Sequence, residues 1–169
     1  MEERLNSHYE SLSRSIAFTR SADAKAAPVL ALQIAILGAL AARFEKLIPA
    51  LSAEPWRFEG VFLWVVLGAY LVFMGAAVSV AARVYMPTHP RTGQSLIYFE
   101  DIAAMRSEEF VKRSKEMSSD VIEEQLLSQI HIVSRIASAK MRRVRCAFWL
   151  SGPSLALGLI LLAWGSVRP

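Results

Sequence analysis

The stretch from Cys146 to Val167, CAFWLSGPSLALGLILLAWGSV, holds 22 residues and no charge. At about 1.5 Å per residue it makes a helix of roughly 33 Å, enough to cross a hydrocarbon core of about 30 Å. Four cations, Lys140, Arg142, Arg143 and Arg145, stand directly before it. A second charge-free run covers residues 60–82, another 23 positions. Two such segments in a chain of 169 residues have no use in a soluble domain. They make the chain an all-α integral membrane protein. Composition agrees: 54% of the residues are hydrophobic, 20% are charged, and the mean hydropathy is positive. The length predicts a single domain over residues 1–169.

Residues 1–25 read as an amphipathic helix on the cytosolic side. Leu5, Tyr9, Leu12, Ile16, Thr19, Asp23 and Ala26 recur at alternating steps of four and three, a heptad-like seam suited to packing on another helix. A first span follows over residues 26–42. It is the weakest of the three candidates, with 17 uncharged residues, Pro28 in its first turns and Gln33 inside it. Ala27, Ala31, Ala35 and Ala39 form a small-residue stripe on it, which permits close helix contact in lipid. Arg43 to Glu59, with Pro49, Pro55 and Trp56, reads as an interfacial turn. The second span runs over residues 60–84, with Trp64 and Tyr85 as interface anchors and Gly75 and Ser79 as a second small pair.

Residues 85–145 form a helical region on the cytosolic side. Pro87 to Ser95 is rich in breakers, and Leu96 to Met117 predicts one helix or two short ones, with Ile102, Met105 and Phe110 supplying buried contacts. Ser118-Ser119-Asp120 is a stop-and-start signal, and Asp120 with Glu123 has the spacing of a capping box. From there one helix should run unbroken into the third span, residues 146–167. Its expected seam is Leu126, Ile130, Val133, Ala137, Met141, Val144 and Phe148. The stalks of the membrane helices would thus build a small cytosolic bundle. Cys146 has no internal partner for a disulfide and reads as a small lipid-facing residue. No signal peptide is evident.

Orientation follows the cations. Lys and Arg number four in the N-terminal segment, three in the first turn, eleven between Arg83 and Arg145, and one in the tail. An excess marks the cytosolic side, so a cytosolic N-terminus and an outer C-terminus are expected.

The sequence offers little catalytic chemistry. It has no Gly-rich phosphate loop and no metal-ligand spacing, and no carboxylate lies inside a span. Adjacent acidic pairs such as Glu123-Glu124 point about 100° apart on a helix and read as solvated faces. No catalytic residue, metal or cofactor is expected, and neither is nucleic acid as a partner. Three constellations carry charge or polar groups suited to a site. Asp23, where the first helix enters the membrane, is placed to pair with Lys140; removing one member of a buried pair costs roughly 3–5 kcal/mol. Lys140, Arg142, Arg143 and Arg145 are topology determinants that touch anionic lipid at about 1 kcal/mol each, or else hold an anionic ligand. The backbone around Thr88–Ser95 is either a plain loop or a phosphate cradle with Arg91 close by.

Three stretches resemble the transmembrane effectors of Pycsar, a bacterial anti-phage system that signals with cyclic pyrimidine nucleotides. They are SADAKAAPVLALQIAILGAL from Ser21, SLIYFEDIA from Ser95, and LLSQIHIVSRIASAK from Leu126. Their order and spacing match over most of the chain. Asp23, Lys25, Tyr98, Asp101, Gln129 and Lys140 fall on the motif positions; Glu100 departs from them, standing where a smaller residue is expected. The resemblance implies a non-enzymatic effector in the bacterial inner membrane, driven by cyclic UMP or cyclic CMP from a partner cyclase. It would damage that membrane and stop growth before phage release. No cyclic-nucleotide-binding β-roll is recognisable, so the ligand would be sensed by the helical bundle, by a homo-oligomer or by a partner. Arg91, Arg142, Arg143 and Arg145 are the candidates for holding its phosphate. The alternatives are an effector or scaffold gated by another nucleotide, and a small three-span membrane enzyme such as a lipid kinase.

Overall fold

The computed structural model describes residues 2–45, 48, 58–86 and 95–167. The expected turn residues Pro49, Pro55 and Trp56 lie outside the described residues, as does the loop Thr88–Gln94 with Arg91. The helices are α1 (Glu2–Ala42), α2 (Phe58–Tyr85), α3 (Phe99–Ala104), α4 (Ser107–Glu116) and α5 (Ser119–Val167). The described residues contain no strand. The chain is all-α, and α1, α2 and α5 are each long and apolar enough to cross a membrane. That choice is physical: in hydrocarbon a backbone satisfies its polar groups within a helix or not at all, barring a closed barrel. Pro28 and Pro153 sit inside α1 and α5, on their exposed faces, where a missing N–H costs no contact with a neighbouring helix.

The chain divides into two units. The first takes Met1–Ala22 and Pro87–Met141, the second Asp23–Met86 and Arg142–Pro169. α1 and α5 each contribute to both.

In the first unit α1 and α5 run parallel. His8 Nε2 lies 3.3 Å from Glu123 Oε1, and Ser15 Oγ lies 3.1 Å from Ser134 Oγ. Leu126 is fully buried and Ala137 nearly so. The inward positions of α1 here are Leu5, His8, Leu12, Ser15 and Thr19. The expected seam is therefore half right. Leu5, Leu12 and Thr19 keep their places, but Tyr9 and Ile16 are 53% and 39% exposed. Their places go to His8 and Ser15, which find polar partners on α5.

Leu96–Met117 resolves into the two short helices α3 and α4, broken at Met105 and Arg106, both in extended backbone. Ile102, Met105 and Phe110 are half-buried. The capping box is corrected. α5 begins at Ser119, one residue before the expected cap; the Ser118 carbonyl accepts from Ile122 N at 3.1 Å, and Glu123 turns to His8.

The second unit packs three apolar helices, α2 antiparallel to α1 and α5. Leu40, Leu63, Val66, Tyr70 and Leu161 form one buried cluster. Val29, Ala81 and Ala147 form another. The α1 face that packs here is Ala26, Val29, Gln33, Ile36 and Leu40, again stepping by three and four. On α5 it is Val144, Ala147, Ser151, Ser154, Gly158 and Leu161. Phe148, expected on this seam, is 52% exposed, and Ala147 replaces it. A straight helix of 3.6 residues per turn drifts about 20° per heptad, so a seam extrapolated over many turns slips by one residue.

The small residues on α5 set how closely the helices approach. A Cβ on Gly158 would stand 2.7 Å from Ile36 Cγ2 and 3.1 Å from Tyr70 Cε2. One turn earlier, Ser154 Oγ donates to Gln33 Oε1 at 2.9 Å, with both side chains buried. Ala27, Ala31, Ala35 and Ala39 all lie exposed on α1, and Gly75 and Ser79 on α2.

Candidate functional site

Among the cations before the third span, Arg143 has a structural role. Arg143 Nη1 donates to the Arg83 carbonyl at 2.9 Å, satisfying an acceptor in the last turn of α2 that the helix itself leaves open. A cation is also favoured there by the helix dipole. Nearby, Tyr85 Oη donates to the Asp23 carbonyl at 3.0 Å. Arg145 and Lys25 are exposed. Asp23, Lys140 and Arg142 all have interaction partners. Arg142, Arg143 and Arg145 belong to the second unit, Lys140 to the first.

The segment from Ser95 to Asp101 is tied down by side chains. Ser95 N donates to Asp101 Oδ2 at 3.0 Å, and Leu96 N donates to Gln125 Oε1 at 3.0 Å. Ile97 N and Tyr98 N both donate to Ser95 Oγ at 3.1 Å. Four successive backbone donors are thus satisfied locally, so these N–H groups are not free to cradle a phosphate. Asp101 and Tyr98 are buried, at 5% and 4% exposure. These two motif residues organise the start of α3 together with Ser95, and Leu96 fastens the segment to α5 through Gln125. The sequence singles out Tyr98 and Asp101 but not Ser95 as their partner, nor Gln125 as the partner of Leu96. The signal was present: a Ser ahead of a helix, with a carboxylate six residues on.

Two concavities matter. The larger, about 380 Å³, lies in the second unit among Leu37, Leu40, Phe44, Leu63, Tyr70 and Leu161, and it offers no charged group. The other, about 320 Å³, lies in the first unit along α5. Glu124, Gln125, Ser128, Gln129 and Ile132 line it, with Ser95 at its edge. The motif residue Gln129 is half-buried in this polar groove. Among the described residues no three His, Cys, Asp or Glu side chains are placed to share a metal ion.

Neither a curated protein nor a solved structure matches the chain. Residues 8–166 match the family model described as the Pycsar effector protein domain, PycTM. The match takes in all three spans, the α3 start and the polar groove, so the chain belongs to the Pycsar effector family and is a multi-pass membrane effector of anti-phage defence.

Proposed function

We propose that this effector answers cyclic UMP or cyclic CMP by compromising the inner membrane, which arrests growth during infection. Family membership carries the proposal, since it implies a cyclic-nucleotide signal from a partner cyclase. The architecture supports it. One unit holds a polar groove outside the apolar clusters, the other holds the spans, and α1 and α5 belong to both. The ligand binds one arrangement of the helices better than the other and shifts their population by that difference in affinity.

The spans are suited to repacking between copies. The exposed stripe Ala27, Ala31, Ala35 and Ala39 leaves room for a second backbone, as do Gly75 and Ser79. The output is thus assigned to a homo-oligomer. The cation count orients the chain with a cytosolic N-terminus and an outer C-terminus. No catalytic step, metal or cofactor is assigned to the chain. Asp23 and Lys140 are assigned to coupling, so double alanine substitution should abolish growth arrest.

The test is dye release from liposomes carrying the purified protein, with cyclic UMP, cyclic CMP, cyclic AMP and no nucleotide in parallel. Release with one pyrimidine nucleotide and not with cyclic AMP is expected. Folded, inserted protein that stays tight with all four would overturn the proposal.

A further inference from the structure

We propose that the polar groove on α5 is where the chain reads the base of its ligand, through Gln125 and Gln129, and that Arg135 answers the phosphate. This rests on the cyclic-nucleotide reading above and adds its location. Gln125, Ser128, Gln129 and Ile132 share one face of α5, at helical steps of three and four. The groove they line, about 320 Å³, is at the small end of the range of about 300–1,000 Å³ typical of small-ligand sites.

The hydrogen-bonding groups suit a base edge. The Gln129 side chain makes no hydrogen bond to any described residue, so its carbonyl and its NH₂ are both available. A carboxamide presents one acceptor and one donor group side by side. The edge of uracil offers a ring N–H beside a carbonyl; that of cytosine offers an amino group beside a ring nitrogen. A single glutamine complements either by turning its amide over. Gln125 is different. Its Oε1 is committed to Leu96 N, which fixes the amide and leaves Nε2 as a donor for the remaining base carbonyl.

Charge gives the groove a direction. Asp120, Glu123 and Glu124 sit toward the N-terminal end of α5, and Glu124 lines the groove itself. They offset the positive end of the helix dipole and repel a phosphate from that side. In the other direction, beyond Ile132, comes Arg135, exposed and one heptad from Ser128. It stands about 9 Å along the axis from Gln129. The base therefore lies at Gln125 and Gln129, the sugar against Ile132 and the phosphate toward Arg135.

Isothermal titration of the full-length chain in detergent, with cyclic UMP, cyclic CMP and cyclic AMP, tests this. The variants are Gln129→Ala, Arg135→Ala and Ser128→Phe, each matched to wild type by thermal midpoint and circular dichroism. Gln129→Ala should weaken binding of the pyrimidine nucleotide about tenfold. Arg135→Ala should weaken it and flatten its salt dependence. Ser128→Phe, at an exposed position, should block the groove without touching the core. If wild type binds a pyrimidine nucleotide and all three variants bind it equally well, the groove assignment is overturned and the cyclic-nucleotide reading stands. If wild type binds none of the three nucleotides, the cyclic-nucleotide reading falls and the groove assignment falls with it.

Discussion

Both units bury apolar side chains, but they differ in what they leave exposed. The second hides Gln33, Ser151 and Ser154 at 5% exposure or less, while Ile34, Val65 and Val72 lie 63–69% exposed. The first buries Leu126 and also leaves Tyr9 and Phe18 more than half exposed. Hydrocarbon explains the second unit. An exposed isoleucine costs nothing there, and an exposed amide costs much, so the amide of Gln33 turns inward. Water explains the buried leucine of the first unit but not its exposed aromatics, of which Tyr9 joins Leu12, Ile16 and Ala17 in an apolar surface on α1 beside Arg20. Apolarity alone therefore does not tell which face of α1 packs. Polar partners on α5 do.

The sharpest way to break this comparison uses one helix. Ile16 and Ile34 are both exposed positions of α1, one in each unit. Ile34→Lys should cost about 2.5–3.5 kcal/mol of insertion free energy at a membrane centre. Ile16→Lys should change stability by less than about 0.5 kcal/mol. A glycosylation-reporter insertion assay checks the first and a thermal melt in detergent the second. Similar costs at both sites would erase the distinction between the units.

Core packing comes next. Leu126→Ala empties a fully buried site and should cost about 2–5 kcal/mol, read by chemical denaturation in mixed micelles. Gly158→Ala should cost about 1–3 kcal/mol, because Ile36 and the Tyr70 ring must both give way. A smaller effect than either belongs to the buried polar pair. A double-mutant cycle on Gln33→Leu and Ser154→Ala should give a coupling near 0.6 kcal/mol, typical of hydrogen bonds between membrane helices. Ser154 retains its own helix carbonyls as alternative acceptors, which limits that value.

The second and third spans were legible because a charge-free run of more than 20 residues has few other uses, and the break between α3 and α4 was foreseen as one of two possibilities. The phase of the α1 seam was not. Its period was plain, but Tyr9 and Ile16 look more like core than His8 and Ser15 do. The inward polar residues are explained by Glu123 and Ser134, over 100 positions away, which no local pattern reveals. One clue was available: the steps of three and four through Ala26, Val29, Gln33, Ile36 and Leu40, followed backwards, arrive at Ala22, Ser15 and His8. Of the candidate site, Tyr98, Asp101 and Gln129 were named through the motifs. Gln125 was not, because its place beside Leu96 depends on how α5 meets the start of α3. The capping of α2 by Arg143 was hidden in the same way, since it joins residues 60 positions apart.

The most direct measurement is cysteine accessibility. Cys146 is the only cysteine, so Cys146→Ser gives a clean background for single cysteines at positions 16, 34 and 127. Each is treated with a membrane-impermeant maleimide in inside-out vesicles. Positions 16 and 127 should label rapidly, and position 34 should label only after detergent is added. Rapid labelling at 34, or protection of 16 and 127 in protein shown to be monomeric, would contradict the division of α1 and α5 between water and lipid.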